Sequence, residues 1–281
     1  MPAISINTLI FQGHDLPTVV REIAALGATS VEFAFLKAYA PDLSEAFFTE
    51  EQGRRLGRLL QDFGLTGPAV SAHMDLGADD ALDGFRRRLA FAKASGAGLV
   101  ISNASSRSRE RAFFTNMEQL ARFAGSLGMI IGLENPGDGE DHLIDSARAG
   151  AAVIRRIGAD QVRLNYDIGN VFIYSHGAVR PEADLAHAIP CSAHYHLKDI
   201  REEPTGYYYC DIGGGLVDYR KVLEVLAAQA PEAPIGIEIP LRLKRGHDWL
   251  PFLDPAVPEL SEIRRTLRAS LDFVAGPAGQ R

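Results

Sequence analysis

The chain has 281 residues, of which 46% are hydrophobic and 23% charged, and its formal net charge is −7. This composition is typical of a soluble globular protein, and the acidic balance argues against nucleic acid as a partner because it repels phosphate backbones. No apolar run reaches the ~18 residues of a membrane span, so we expect no membrane partner. The N-terminus lacks the features of a signal peptide, and neither cysteine lies in a CxxC pair. We therefore expect a cytoplasmic protein.

A β-rich run followed by an amphipathic helical run recurs along the whole chain. Strands are predicted at 3–10, 30–35, 67–74, 98–105, 129–135, 162–169, 191–199 and 234–240. Helices are predicted at 16–27, 50–64, 79–96, 109–128, 145–158, 181–189, 218–230 and 258–276. The helical runs carry apolar residues at spacings of three and four, and the strand runs are apolar with little alternation, as in strands covered on both faces.

Eight strand-then-helix units indicate a parallel sheet, because parallel strands need a crossover connection. Eight such units can close into a (β/α)8 barrel, which typically needs about 250 residues. An open doubly wound sheet would usually show a GxGxxG turn after its first strand, and this chain has FQGHD there. We therefore predict an α/β fold, a single-domain (β/α)8 TIM barrel over residues 1–281, with a frayed tail at 275–281. Five helix ends predict a left-handed glycine cap: Gly27, Gly64, Gly96, Gly128 and Gly158.

The longest irregular segments are predicted after the sixth, seventh and eighth strands, at 171–180, 201–217 and 241–258. The loops that follow the strands build the active face of such a barrel. Their length at these three positions predicts that the functional site lies on that side.

Four polar residues interrupt the apolar strands near their carboxyl ends: Glu134, Asp167, His196 and Glu238. They come from the fifth to eighth strands, whose ends surround one mouth of a closed barrel, so their side chains are expected to converge. Taken singly, each glutamate is more often a salt-bridge partner or helix cap, and His196 could be a hydrogen-bonded core residue. Taken together, three carboxylates and one imidazole favour a divalent metal, with Mn²⁺, Mg²⁺ or Co²⁺ preferred and Zn²⁺ also compatible.

Alternation along the seventh strand places His194, His196 and Lys198 on one face. His196 lies nearer the mouth, so it is the better metal ligand, and His194 is expected one layer deeper as a hydrogen-bonded group. Lys198 either neutralises a substrate oxyanion or forms an ion pair with Asp199 or Glu238.

At these residues the chain resembles the xylose-isomerase-like barrel superfamily, which includes sugar phosphate isomerases and epimerases. The matching stretches are GLEN at Glu134, YDIGN at Asp167, HYHLKD at His196, segment 211–219, and IGIEIP at Glu238. The resemblance implies one divalent metal, Mn²⁺ first, held by Glu134, Asp167, His196 and Glu238. It also implies that Glu134 and Glu238 are the acid/base pair, transferring a proton through a cis-enediolate of a polyhydroxy carbonyl substrate. A homodimer or homotetramer is implied without a choice between them.

Two departures from the family pattern bear on the substrate. Many relatives have a histidine three residues after the metal aspartate, where this chain has Asn170. Ketose 3-epimerases have an arginine six residues after the metal histidine, where this chain has Glu202, with Arg201 one residue earlier. A simple free ketohexose epimerase is therefore not favoured, and the full ligand set of the multi-zinc nuclease branch is not found.

Further residues are expected near the mouth. His73, Asn103 and Glu32 end strands and either bind substrate hydroxyls or support the site from behind. The basic segment Arg242, Lys244 and Arg245 either holds a carboxylate or phosphate or is a solvated turn. Gly213–Gly215 form a turn that could cradle an anion through backbone N–H groups, and Tyr207–Tyr209 predict an apolar wall or a subunit contact. The substrate-binding set predicted from all of these is His73, Asn103, Asn170, Lys198 and Arg242.

Three functions are compatible with these features. The first is a metal-dependent isomerase or epimerase of a sugar or other polyhydroxy carbonyl compound. The second is a dehydratase or lyase of a keto-cyclitol, keto-sugar or dehydroshikimate-like substrate that uses the same metal site. A non-catalytic sugar-binding barrel is disfavoured, since binding alone does not need paired carboxylates at a metal.

Overall fold

Eight parallel strands close into a barrel in this computed structural model, which describes residues 3–37, 43–136 and 140–276. The barrel strands are β1 Ile4–Asn7, β2 Ser30–Ala34, β3 Thr66–Ser71, β4 Leu99–Asn103, β5 Ile130–Glu134, β6 Val162–Asp167, β7 Ser192–Leu197 and β10 Ile235–Ile237. Strands β1 to β7 follow one another around the barrel, and β10 closes it between β7 and β1. The predicted (β/α)8 barrel is confirmed, and the single-domain organisation over residues 1–281 stays a prediction.

Helices surround the barrel and follow its strands. They are α1 Leu16–Ala25, α2 Glu50–Asp62, α3 Ala81–Ser95, α4 Glu110–Leu127, α5 Ala147–Ile157, α6 Ile168–Tyr174, α7 Pro181–Ala188, α8 Tyr219–Gln229 and α9 Leu260–Ala275. Short 3-10 helices lie at Thr8–Phe11, Glu45–Phe47, Arg107–Arg109 and Ile189–Cys191. All five predicted cap glycines have positive φ angles, between 61° and 95°. The apolar core fills the layer between barrel and helices, with Val20, Phe85, Phe113 and Leu267 fully buried there.

A second, antiparallel sheet lies in the segments that were predicted to be irregular. Its strands are β8 Asp199–Glu203, β9 Gly206–Cys210, β11 Leu243–Arg245 and β12 Pro251–Leu253, in the order β12-β11-β9-β8. The segment predicted as the loop 171–180 begins inside α6. The expectation of irregular structure was therefore wrong for parts of all three segments. In the second and third, short strands that pair across distant segments leave little local signal; in the first, the structured part is the end of a short helix that begins directly after β6.

Strand register sets the height of the polar residues in the barrel. Asn103 pairs with Glu134, and Glu134 pairs with Asn165. Asp167 pairs with His196, and His196 pairs with Gly236. The ends of β4 to β7 and β10 therefore bring these side chains to one end of the barrel.

Helix α6 begins where β6 ends, at Asp167. The Asp167 carboxylate accepts a hydrogen bond from the Asn170 backbone N–H through Oδ1 (2.8 Å), so it caps the helix. Gly169 lies against the backbone of Lys198, and a Cβ atom there would come 2.2 Å from the Lys198 carbonyl oxygen. The close approach of α6 to the end of β7 therefore needs a glycine at this position.

Ala275 ends α9, and residues 277–281 of the predicted frayed tail lie outside the described residues. Within the described ranges, no helix combines the length and hydropathy that crossing a membrane would require.

Substituting Gly169 tests the close packing of α6 against the end of β7. The change Gly169→Ala should lower the free energy of unfolding by roughly 1–3 kcal/mol, because the contacted atoms belong to backbone and cannot move aside easily. Urea denaturation followed by circular dichroism measures the effect. The matched control is Gly98→Ala, since a Cβ atom at Gly98 meets no heavy atom within 4 Å. Equal unfolding midpoints for the two variants would contradict the packing argument.

Candidate active site

Four side chains converge at one end of the barrel, and they are the four predicted from the sequence. One nitrogen of His196 and one carboxylate oxygen each from Glu134, Asp167 and Glu238 all lie within 4.8 Å of one another. The His196 Nδ1 atom is 2.6 Å from Glu134 Oε1, 3.2 Å from Glu238 Oε2 and 3.9 Å from Asp167 Oδ2. All four residues are at most 2% exposed.

The donor set and its burial fit a divalent cation. Asp167 Oδ2 and Glu238 Oε2 are buried, and each lies close to the other ligand atoms of the cluster. Carboxylates this close together repel one another, and a cation between them offsets that repulsion. Three hard oxygen donors and one imidazole nitrogen are ligands that Mn²⁺, Mg²⁺, Co²⁺ and Zn²⁺ accept. This cluster could therefore hold a metal ion.

A positively charged side chain, Lys198, also faces this carboxylate cluster. The Lys198 ammonium lies 2.8 Å from both Asp167 Oδ2 and Glu238 Oε2, and 3.2 Å from Asn170 Oδ1. Of the two partners expected for Lys198, Glu238 is found, and Asp167 takes the place of Asp199. Lys198, directly after the seventh strand, thus offsets part of the negative charge of the carboxylate cluster.

Burial and charge shift the pKa values of these groups strongly. Burial raises the pKa of Asp167 to about 7. Burial also opposes ionisation of Glu238, but Lys198 and His196 together hold its pKa well below the usual range. Burial disfavours the charged imidazole, yet the surrounding carboxylates hold the pKa of His196 well above its ordinary value. Perturbed groups that face a cavity mark a functional-site candidate.

A cavity of about 460 Å³ opens beside the cluster. This volume is in the range of small-molecule pockets, roughly 300–1,000 Å³. Glu134, Glu238 and Lys198 line it, whereas Asp167 and His196 lie behind its surface. The two glutamates are therefore the members of the four-residue group that a small molecule in the cavity would meet.

Most of the predicted substrate-binding residues lie on this cavity. His73, Asn103, Asn170 and Lys198 line it, and His73 Nε2 is 3.2 Å from Glu134 Oε2. Arg242 is not among the described residues that line it. Its guanidinium donates hydrogen bonds to the carbonyl oxygens of Asp254 and Pro255 instead, because it precedes β11 and faces the following loop.

The other basic residues near Arg242, and the tyrosines Tyr207–Tyr209, lie either on the cavity or elsewhere in the antiparallel sheet. Arg245 and Tyr209 line the cavity. Lys244 forms an ion pair with Asp254 and lies over the Tyr208 ring. Tyr207 stacks on Trp249, with ring centroids 4.0 Å apart. Only one of the three tyrosines therefore forms the predicted wall.

The glycine turn at Gly213–Gly215 cradles an anion that belongs to the protein. The Asp199 carboxylate accepts hydrogen bonds from the backbone N–H groups of Ile200, Gly213, Gly215 and Val217, at 2.9 to 3.3 Å. Burial raises the pKa of Asp199 to about 6 despite these donors. The turn is thus occupied by a side chain and fixes the segment that follows β8 and β9.

A second polar layer lies beneath the four-residue group. Glu32 is fully buried there, and its Oε1 atom is 2.8 Å from His196 Nε2. Glu32 therefore lies behind His196 and is not among the described residues that line the cavity, which fits the predicted support from behind and not the alternative contact with substrate hydroxyls. His194 is one layer deeper than His196, as expected, and its Nδ1 atom is 2.9 Å from Asn165 Oδ1.

Two asparagines of this network were missed by the sequence analysis. Asn165 donates a hydrogen bond to Glu134 Oε1 at 3.0 Å. Asn135 accepts from the backbone N–H of Asp167 and donates to its carbonyl oxygen. The alternation along β6, which places Asn165 on the same face as Asp167, could have revealed the first.

Comparisons with known proteins agree with this architecture. The model of the xylose isomerase-like TIM barrel family matches residues 20–261. No curated protein sequence gives a significant match. Several solved structures are similar over nearly the whole chain.

Three of these structures show the similarity. The probable 3-DHS dehydratase AsbF of Bacillus anthracis has a TM-score of 0.71 and 15% identity, covering 99% of this chain and 100% of its own. An L-ribulose 3-epimerase has a TM-score of 0.72 and 17% identity, covering 100% and 95%. A xylose isomerase domain protein of Planctomyces limnophilus has a TM-score of 0.73 and 15% identity, covering 98% and 96%. At these identities the structures establish the shared fold, and the family model identifies the sequence. The chain belongs to the xylose isomerase-like TIM barrel family.

Proposed function

We propose that this protein is a divalent-metal-dependent isomerase or epimerase of a sugar or another polyhydroxy carbonyl compound. The observation that carries the proposal is the convergence of three carboxylates and one imidazole within 4.8 Å at a cavity of about 460 Å³. The family and its structural neighbours, which include epimerases and a dehydratase, support an enzyme.

The metal would be held by Glu134, Asp167, His196 and Glu238. Mn²⁺ is our first choice because most of the donors are hard oxygens, and Mg²⁺, Co²⁺ or Zn²⁺ would fit the same donors. A cation bound there would polarise a substrate carbonyl and acidify the neighbouring C–H group.

Glu134 and Glu238 are the proposed acid/base pair. Both side chains line the cavity, and they extend from β5 and from the end of β10, which are separated in the barrel by β6 and β7. A substrate between them would have a carboxylate on either side. One glutamate would remove the proton beside the carbonyl, and the same or the opposite one would return it to the other carbon or the other face.

The substrate is proposed to be small and rich in hydroxyl groups. His73, Asn103 and Asn170 present polar atoms along the cavity wall, which suits hydrogen bonds to hydroxyls. The net charge of −7 disfavours nucleic acid. A cytoplasmic location and assembly as a homodimer or homotetramer stay predictions.

A dehydratase or lyase is the second candidate, and the position of Lys198 favours it. The Lys198 ammonium lines the cavity 2.8 Å from Glu238 Oε2. In an elimination, a glutamate would take the proton beside the carbonyl, and Lys198 would donate a proton to the departing hydroxyl, which leaves as water. An isomerisation does not need this second donor, so the two candidates differ in the fate of the β-hydroxyl.

Metal binding is the first test. Purified protein stripped with chelator and reloaded should bind about one Mn²⁺ per chain, measured by elemental analysis and by titration. Asp167→Asn removes a direct ligand and should weaken the Mn²⁺ affinity strongly. The loss should exceed the ~10–100-fold that follows removal of a group that only hydrogen-bonds to a ligand. The control Glu224→Gln changes an exposed residue of α8 and should bind as wild type does. Equal affinity in Asp167→Asn and wild type would refute this metal site.

Proton transfer is the second test. Incubation with keto-sugars, aldoses and keto-cyclitols in D₂O should label the carbon beside the carbonyl, as detected by NMR. Glu134→Gln and Glu238→Gln should each slow the exchange by about 10²–10⁴-fold, and Glu224→Gln should not.

The products of the same incubations separate the two candidates. Epimerised or isomerised substrate without loss of water supports the first, and an α,β-unsaturated product with strong ultraviolet absorbance supports the second. No exchange with any member of the panel would count against both candidates.

A further inference from the structure

We propose that Glu32 is a positioning residue that fixes the ring orientation and tautomer of His196, so that Nε2 carries the ring proton and Nδ1 presents its lone pair to the carboxylate cluster. This inference rests on the metal site in the proposed function. It concerns how that site is prepared by the residues beneath it.

Three hydrogen bonds converge on one oxygen of Glu32. The Oε1 atom lies 2.6 Å from Asn7 Nδ2, 2.7 Å from Ser71 Oγ and 2.8 Å from His196 Nε2. The Asn7 amide nitrogen can only donate, and the Ser71 hydroxyl donates as well. An oxygen that accepts from these two donors has no proton to offer His196, so the Nε2 atom must be the donor.

The opposite edge of the His196 ring faces the cluster. Its Nδ1 atom is 2.6 Å from Glu134 Oε1 and 3.2 Å from Glu238 Oε2. A histidine that ligates a metal is neutral, with one protonated and one unprotonated ring nitrogen. With the proton held on Nε2 by Glu32, the lone pair on Nδ1 points to where a metal would be shared with the carboxylates.

The surroundings leave the ring little freedom to turn. A Cβ atom at Gly236 would lie 2.9 Å from His196 Cδ2 and 2.8 Å from Glu32 Oε2, so the β10 backbone packs directly against this pair. The His194 ring meets His196 edge-on, with centroids 5.3 Å apart and an interplanar angle of 88°. Glu32, His194 and His196 are all at most 1% exposed.

The residues that anchor Glu32 come from the two neighbouring strands. Asn7 is in β1, Ser71 is in β3, and Glu32 itself is in β2 between them. Asn7 is held in turn because its Oδ1 atom accepts from the Leu9 backbone N–H at 2.9 Å. The position of the Glu32 carboxylate is therefore set by β1, β2 and β3, while the metal-site carboxylates come from β5, β6 and the end of β10.

The group formed by Glu32, His194 and His196 also has three donor atoms close enough to hold an ion of its own. None of the three is among the described residues that line the cavity, and the backbone at Gly236 closes over them. We therefore assign Glu32 an orienting role, which predicts one metal per chain. Two ions per chain would overturn this assignment.

The test compares Glu32→Leu, which removes the acceptor, with Glu32→Gln, which retains one. Loss of an outer-shell partner of a metal histidine typically weakens metal binding by about 10–100-fold. We expect a loss of this size in Mn²⁺ affinity for Glu32→Leu and a smaller one for Glu32→Gln. The matched control is Glu22→Leu, which removes another buried carboxylate, one paired with Arg264 on the outside of the barrel. It should leave the affinity unchanged.

The tautomer gives a readout that a general loss of stability would not move. In wild-type protein labelled with ¹⁵N-histidine and loaded with diamagnetic Mg²⁺ or Zn²⁺, NMR should find His196 protonated at Nε2 and unprotonated at Nδ1. A proton on Nδ1 would overturn the inference, and this measurement does not require Glu32→Leu to fold.

The two proposals fail in different ways. If wild type binds the metal and Glu32→Leu binds it equally well, the role of Glu32 is refuted and the proposed function stands. If wild type binds no divalent metal, both are refuted.

Discussion

Repulsion among buried carboxylates is the constraint on which this site depends. Glu32, Glu134, Asp167 and Glu238 are each at most 2% exposed and all lie around His196. Isolated buried charges are strongly unfavourable, so such a group persists only if it is paired and hydrogen-bonded. Lys198 provides a positive charge, His196 contacts Glu32 and Glu134, and asparagine and serine side chains provide neutral donors. This dense charge cluster is difficult to explain as a requirement of folding alone.

The barrel tolerates the cluster because its apolar packing lies elsewhere. The main hydrophobic core occupies the layer between strands and helices, where α1 to α9 cover the outer faces of the strands. The inner faces at the strand ends are thus free to carry polar residues. A strongly packed outer layer also holds the strand ends rigidly, which preorganises groups that would otherwise move apart.

The antiparallel sheet β8-β9-β11-β12 gives the site its particular shape. Its strands β8 and β9 follow β7, which bears His196, and β11 and β12 follow β10, directly after which Glu238 lies. The sheet brings Tyr209 and Arg245 to the cavity. The turn around Asp199 anchors one end of this sheet through four backbone hydrogen bonds. Because this sheet is built from the segments that follow the barrel strands, it shapes the side of the cavity where Tyr209 and Arg245 lie.

The sequence by itself determined the repeated strand and helix units, their closure into a barrel and the convergence of Glu134, Asp167, His196 and Glu238. Local periodicity encodes the units, and the ends of parallel strands in a closed barrel must meet at one mouth. Only the tertiary structure decided that Glu32 lies beneath His196, that Asn165 joins the network, and that Arg245 rather than Arg242 reaches the cavity. These outcomes depend on the stagger between barrel strands and on pairing between β9 and β11, which join residues far apart in the chain. Contacts of this kind are set by packing of the whole fold, so no local pattern encodes them.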